Sequence, residues 1–319
     1  MRWLLFLLFA SSLFGYKSTQ KDPSQVESST SNLPPESPWF TGTLIVPQPT
    51  VIAYGSFLLE NYLYFTTNTG SYNNHWSSTS SAHNFFSFNP QFFYYFGLTP
   101  WCDINIVPQF FYNSTNGQSS CHFGDLTIGL GFQILQPDYT PYFPGIKLAI
   151  REVFPTGKYQ NLNANKLNTD VSGAGTFATQ FNLILYQVYH LWKNHWLSFT
   201  ASGQYQLNSA TNIQGTSVYG KGAGTALPGN SFQGIVSFEF SLTQNWVLAI
   251  DNVYTHTDAT QVYNGTVGGL PSSEQFSFAP AIEYNFNSSF GLIAGCWFSA
   301  FGRNSAEFRS GVVNIEYTY

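Results

Sequence analysis

Charge is what this 319-residue chain has least of: Asp, Glu, Lys and Arg make up 8% of it, against roughly 25% in soluble domains. So little charge leaves little surface suited to water. With 11 Lys plus Arg and a net charge of -5, the chain lacks the basic patch that nucleic acid requires, and nucleic acid is excluded as a partner. No run of about 18 apolar residues occurs, which excludes a membrane-spanning helix. Cysteine is scarce and odd in number, with Cys102, Cys121 and Cys296. Cys102 and Cys121 fall at opposite ends of one expected hairpin, whereas a disulfide needs Cα atoms within about 7 Å, so no structural disulfide is expected. The six His include no HExxH or CxxC spacing, which gives no metal site and no cofactor. No Ser/His/acid motif marks a catalytic set, so the chain does not read as an enzyme.

What is abundant is aromatic: 31 Phe, 20 Tyr and 8 Trp bring aromatics to 18%. Bulky apolar residues mixed with uncharged polar ones suit the pleated sheet. The last eight residues, 312–319, alternate strictly, with Val313, Ile315, Tyr317 and Tyr319 on one face and Val312, Asn314, Glu316 and Thr318 on the other. Such a period of two with one apolar face is a half-buried strand. The same alternation predicts strands near 52–66, 84–96, 101–112, 124–135, 144–154, 176–192, 195–207, 231–242, 246–255, 274–286, 290–300 and 307–319. An even count of about twelve is what a single-chain transmembrane antiparallel β-barrel needs. Connections expected at 97–100, 136–143, 193–194, 243–245 and 287–289 are short. Those at 67–83, 113–122, 155–175, 208–230 and 256–273 are long, with 301–306 the short member of that set. This alternation predicts an all-β outer-membrane barrel with short periplasmic turns and long extracellular loops.

Two rings of residues follow from the register. Trp101, Trp192, Trp196, Trp246, Phe286, Phe290 and Tyr319 cluster beside the short turns as a periplasmic aromatic girdle. Glu60, Asp103, Asp125, Glu239, Asp251, Glu283 and Glu316, with Lys147, Arg151 and Arg309, are assigned to the inner face, because charge facing lipid is costly. Lys147 and Arg151 opposite the acids are the candidate constriction. These charges either line an open lumen or pair into a network that fills a narrow barrel, and the sequence leaves both open.

Met1 to Ser12 reads as a secretory signal, with Arg2 before an apolar core and small residues after it, so residues 1–15 are expected to be a cleaved signal peptide. Residues 16–51, rich in Ser, Pro, Gln and Glu at the start, are expected as a flexible periplasmic extension. Within it Trp39 to Val46 is a short apolar stretch of open role, and the barrel is expected over 52–319. Gly215 to Lys221 has the GxxxxGK spacing but continues with Gly222 in a Gly-rich loop, so it reads as a chance match to a phosphate loop.

Three segments carry a family resemblance. Tyr95-Phe96-Gly97-Leu98-Thr99, then Phe123 to Leu130 with its Gly124-Asp125-Leu126, then Pro155-Thr156-Gly157 are similar to the landmarks of the meta-pathway phenol-degradation outer-membrane family. Gly55 to Glu60 is similar to that family's opening strand. The resemblance implies location in the bacterial outer membrane and uptake of hydrophobic or aromatic compounds. The final strand also resembles the closing strand of outer-membrane barrels, which implies that Tyr317 and Tyr319 form the assembly signal read by the barrel insertion machinery. The expected function is a passive pore or uptake channel for small solutes, with outer-membrane lipid as the surroundings. A closed structural or adhesive surface barrel is the alternative, and a barrel hydrolase a weaker one.

Overall fold

The computed structural model describes residues 38–137, 143–263 and 269–319. The expected signal peptide lies outside these residues, as do positions 16–37. Among the described residues, twelve antiparallel wall strands form one closed sheet. They are β1 (Phe57–Tyr72), β2 (Ser78–Thr99), β3 (Cys102–Val107 continuing as Phe110–Thr115) and β4 (Gln118–Phe123 continuing as Leu126–Leu135). Then come β5 (Gly145–Phe154), β6 (Ala178–Trp192), β7 (His195–Asn208), β8 (Ser231–Ser241), β9 (Trp246–Thr257), β10 (Ser273–Asn287), β11 (Phe290–Arg303) and β12 (Ser305–Thr318). β3 breaks at Pro108, which cannot donate to a ladder, and β4 breaks at Gly124-Asp125.

Closure is made by β12 against β1, in register from Leu58 opposite Thr318 to Tyr72 opposite Ser305. The last rung is reciprocal: the Phe57 amide donates to the Tyr319 carbonyl at 2.8 Å and the Tyr319 amide to the Phe57 carbonyl at 2.9 Å. Removing Tyr319 deletes both bonds and one exposed aromatic at the membrane boundary. Assembly yield of that truncation, read as heat-dependent gel mobility, is expected to fall well before solute passage changes; normal yield would remove Tyr319 from any assembly role.

Alternation places the faces as expected on most strands, since a shift of one residue would turn every apolar side chain inward. Arg309 is the exception among the assigned inner charges. It shares parity with Val313 and Ile315, lies exposed on the outer face, and is corrected to lipid-facing. An Arg there costs about 2–4 kcal/mol at the bilayer midplane but about 0–1 near an interface, and Arg309 sits ten residues above Tyr319. Trp196 is corrected the other way. It shares the inner face of β7 with Ser198 and Thr200, is buried, and packs 4.5 Å from the His190 ring. Trp101, Trp192, Trp246, Phe286 and Tyr319 are exposed beside the short turns and Phe290 is half-buried.

Two expected long loops are instead strand. β1 and β2 pair on to Tyr72 and Ser78, and the Phe110–Thr115 and Gln118–Phe123 segments pair as far as a two-residue Asn116-Gly117 turn, both at positive φ. Outside the lipid no apolar face is needed, so the period-two signal fades there while the ladder continues. The remaining large loops are L3 (155–177), L4 (209–230) and L5 (258–272). L4 and the described part of L5 fold on one another: residues 211–213 and 261–263 flank 224–227 in a three-stranded sheet, over a small core of Ile213, Tyr219 and Ala226.

Candidate functional site

The barrel interior is occupied by its own N-terminal segment. Expected as part of a flexible extension, residues 38–51 instead run inside the wall, and residues 52–56, expected as the start of the first strand, form their exit. The segment enters beside the β8–β9 turn, where the Trp39 amide meets the Gln244 carbonyl at 3.4 Å. It leaves at Gly97, whose carbonyl accepts from the Gly55 amide at 2.9 Å. A Cβ at Gly97 would collide with the Ala53 and Ile52 carbonyls, so the glycine is what lets the segment pass.

All three expected inner charges on β8–β10 grip this segment. Glu283 Oε1 accepts from the Thr41 amide at 2.7 Å, and Glu239 Oε1 from the Gly42 amide at 3.1 Å. Asp251 Oδ2 accepts from the Ile45 amide at 3.1 Å, while its Oδ1 takes the Thr43 and Ser237 hydroxyls. Asn285 donates to the Trp39 carbonyl. Carboxylates are acceptors only, and a chain lying across a wall whose backbone is already paired has spare amides, so each satisfies the other. Between these grips Leu44 fills a pocket of Tyr62, Ala249, Ala279, Ile293 and Val312, and Val46 packs on Ile235 and Val253.

On the opposite wall the segment meets the expected constriction. Lys147 Nζ donates to Asp103 Oδ2 at 3.0 Å and to the Thr50 carbonyl at 2.9 Å, both side chains being almost fully buried. The same Asp103 oxygen accepts from the Ile52 amide at 3.2 Å, and Gln133 Oε1 from the Val51 amide at 2.9 Å. Gly131 and Gly129 on β4 leave room for this arrangement, since a Cβ at Gly131 would strike Asp103 and one at Gly129 would strike Asn105. Sequence reading found the charges by their parity; it had no signal for Gln133 and Asn285, which are polar residues on an inner face like many others.

Not all of the interior is consumed by the segment. Glu60 and Glu316 face each other across the closing β1–β12 pair, and Glu316 Oε2, Asn314 Oδ1, Arg151 Nε and Asn105 Nδ2 have no protein hydrogen-bond partner. A buried polar group without a partner costs about 1–3 kcal/mol in a dry core. The cost disappears if the interior is wet, which distinguishes a polar lumen from a packed core.

Asp125 does other work. It stands at the break in β4 and accepts from the Gly157 and Ala174 amides, each at 2.8 Å, so it pins both ends of L3. Thr156 Oγ1 donates to the Gly124 carbonyl at 2.7 Å. The Gly124-Asp125 and Thr156-Gly157 landmarks therefore hold one another. L3 then lies against the upper hairpin, with Asn113 Nδ2 donating to the Thr169 and Val171 carbonyls at 3.1 and 2.8 Å. Backbone bonds from Leu162 to Thr216 and from Val218 to Tyr159 join it to L4, and Gly215 to Lys221 belongs to this cap.

Within L3, burial pushes the Asp170 carboxyl up, but the Lys158 ammonium at 2.7 Å and the Asn163 amide at 3.0 Å outweigh it and hold it below the usual carboxylate range. A depressed carboxylate stabilises above its unfolded pKa, about 4, and that stability is lost as pH falls through the lower folded value. Hydrogen exchange over 158–175 is expected to quicken below about pH 4 in the parent and to be quick already at neutral pH in D170N. A profile that is the same in both proteins would show that the pair does not hold the loop.

No protein-family model and no curated protein matches the sequence. Among solved structures, an outer membrane channel from Pseudomonas putida F1 is similar at a TM-score of 0.69 and 15% identity, over 86% of this chain and 100% of that one. The β domain of the Bordetella autotransporter BrkA is matched at 0.48 and 9% identity, over 83% of this chain and 100% of that chain. The CymD monoaromatic hydrocarbon channel is matched at 0.37 and 10% identity, over 84% and 88%. The first of these shows the fold, that of an outer-membrane β-barrel.

Proposed function

We propose that the barrel is an uptake channel for small solutes whose path opens when residues 38–52 leave the lumen. One observation carries this reading: within the lumen the segment is bound through wall side chains, at Glu283, Glu239, Asp251, Asp103, Gln133 and Lys147, and contributes no strand there. It can depart without breaking a wall ladder. The space it vacates is lined by the inner charges, among them Arg151 and Glu316, whose Nε and Oε2 atoms, like Asn314 Oδ1, make no protein hydrogen bond. That lining suits water and small solutes, and its excess of acids favours cations or neutral molecules over anions. The resemblance of the Tyr95–Thr99, Phe123–Leu130 and Pro155–Gly157 landmarks extends the reading to hydrophobic and aromatic solutes. Export by a cleaved signal peptide is supported by the Arg2, apolar-core and small-residue pattern of Met1 to Ser12, and delivery to the insertion machinery through Tyr317 and Tyr319 by the likeness of the final strand to the closing strand of outer-membrane barrels.

The alternative, a closed surface barrel, is favoured by the cap in which L3, L4 and L5 bond to one another. Planar-bilayer recording separates the two. Discrete conductance steps from folded protein support the channel. Silence from both the parent and the chain lacking residues 38–52 would mean that the cap seals the barrel.

A further inference from the structure

The basic side chains of the described wall strands have partners or point inward, with one exception. Lys147 pairs with Asp103 and Arg151 faces the interior, while Arg303 pairs with Glu274 at 2.9 Å. Arg309 is exposed on the lipid side of β12 and forms no ion pair among the described residues. Ten residues of tilted strand separate it from Tyr319, a rise of about 25 Å, which is the height of the apolar band of such barrels. Arg309 therefore stands where outer-leaflet headgroups meet acyl chains.

Beneath it the wall is hollowed. A trough of about 650 Å³ crosses β1, β11 and β12. Its floor is Gly311, opposite Phe65 on one neighbour and Cys296 on the other, and a Cβ there would meet nothing within 4 Å. Phe65 and Phe298 form the sides, and Thr67 lies directly across from Arg309. Glu307 also lines the trough, at its upper end, where its carboxylate accepts from the Ser78 hydroxyl. The site is thus a cation at headgroup height with an apolar slot running toward the membrane centre.

We propose that this trough binds a phosphorylated lipid of the outer leaflet, its phosphate on Arg309 and one acyl chain along Gly311 between Phe65 and Phe298. A guanidinium matches phosphate oxygens in a two-pronged geometry, and an apolar setting strengthens that contact. The slot accounts for the glycine: any side chain at position 311 would fill the space the chain occupies. This inference holds whether or not the barrel conducts.

The test uses the full chain purified in neutral detergent, with lipid A, its dephosphorylated form and inorganic phosphate as probes, and native mass spectrometry as the readout. The parent is expected to retain lipid A at one copy per barrel and to release the dephosphorylated form. R309Q should weaken retention about tenfold, a loss of one charged contact, and R309K should weaken it less. G311L fills the slot while leaving the cation in place, so it should also weaken retention; heat-dependent gel mobility confirms that each variant is folded. Equal retention of lipid A by parent, R309Q and G311L would overturn the site. So would equal retention of the dephosphorylated lipid, or displacement of lipid A by inorganic phosphate at similar concentration. If R309Q does not fold, the G311L result decides alone.

Discussion

Deleting residues 38–52 is expected to raise single-channel conductance severalfold over the parent and to lengthen the open time. The reason lies in what the segment touches. Leu44, Val46 and Ile52 are buried inside the barrel, and Val46 packs on Val253, seven residues along β9 from its periplasmic end. The segment thus rises about 18 Å into the lumen on a tilted strand. Removing it leaves Glu239, Asp251 and Glu283 facing open interior, and water replaces the lost amides. The wall ladder is untouched, so the deleted chain should still show heat-dependent mobility. Unchanged conductance in a folded deletion would show that the constriction lies in the L3–L5 cap instead.

Replacing Lys147 with Met is expected to destabilise the barrel by about 3–5 kcal/mol, the usual result of stranding one member of a buried ion pair. Asp103 would keep the Ile52 amide but lose the one ion-pair partner it has among the described residues, and the Thr50 carbonyl would lose its donor. Lys147 also stands 5.8 Å from the Tyr95 ring centroid, a further contact that Met does not restore. Urea unfolding in lipid vesicles measures the loss. The double variant D103L/K147M should recover part of it, because removing both charges removes the desolvation cost along with the attraction, while the Ile52 amide and the Thr50 carbonyl stay without their side-chain partners. A K147M barrel within about 1 kcal/mol of the parent, at the scale of an exposed pair, would show that the site is hydrated well enough to make the pair irrelevant. K147M should also loosen the segment, so its open probability is expected to exceed that of the parent.

Much of this was legible from residue order. On β1 the sequence places Glu60, Tyr62 and Tyr64 on one face and Leu59, Leu63 and Phe65 on the other, and the structure keeps that division. β12 shows the same, and its closure against β1 follows from an even strand count. For Arg309 charge and parity conflict, and parity decides. Its alternation with Val313 and Ile315 already put it outside, and a position near the interface makes lipid-facing Arg tolerable. At Trp196 residue type and parity conflict in the same way: an indole beside a turn suits a girdle, but alternation with Ser198 puts it inside.

What the sequence by itself determined is the wall: its strands, their faces, their closure and the inward ring of acids, all of which repeat every two residues. The tertiary structure alone decided what the inward groups hold. Thr41 and Glu283 lie 242 residues apart, and Ile45 and Asp251 lie 206 apart. A single side chain accepting a single distant amide leaves no periodic trace in either segment. The same holds for Asp125 gripping Gly157 and Ala174 across L3. Period-two patterning records which side of the sheet a residue faces, whereas the plug and the cap depend on which chain meets it there, and only closure of the barrel brings those chains together.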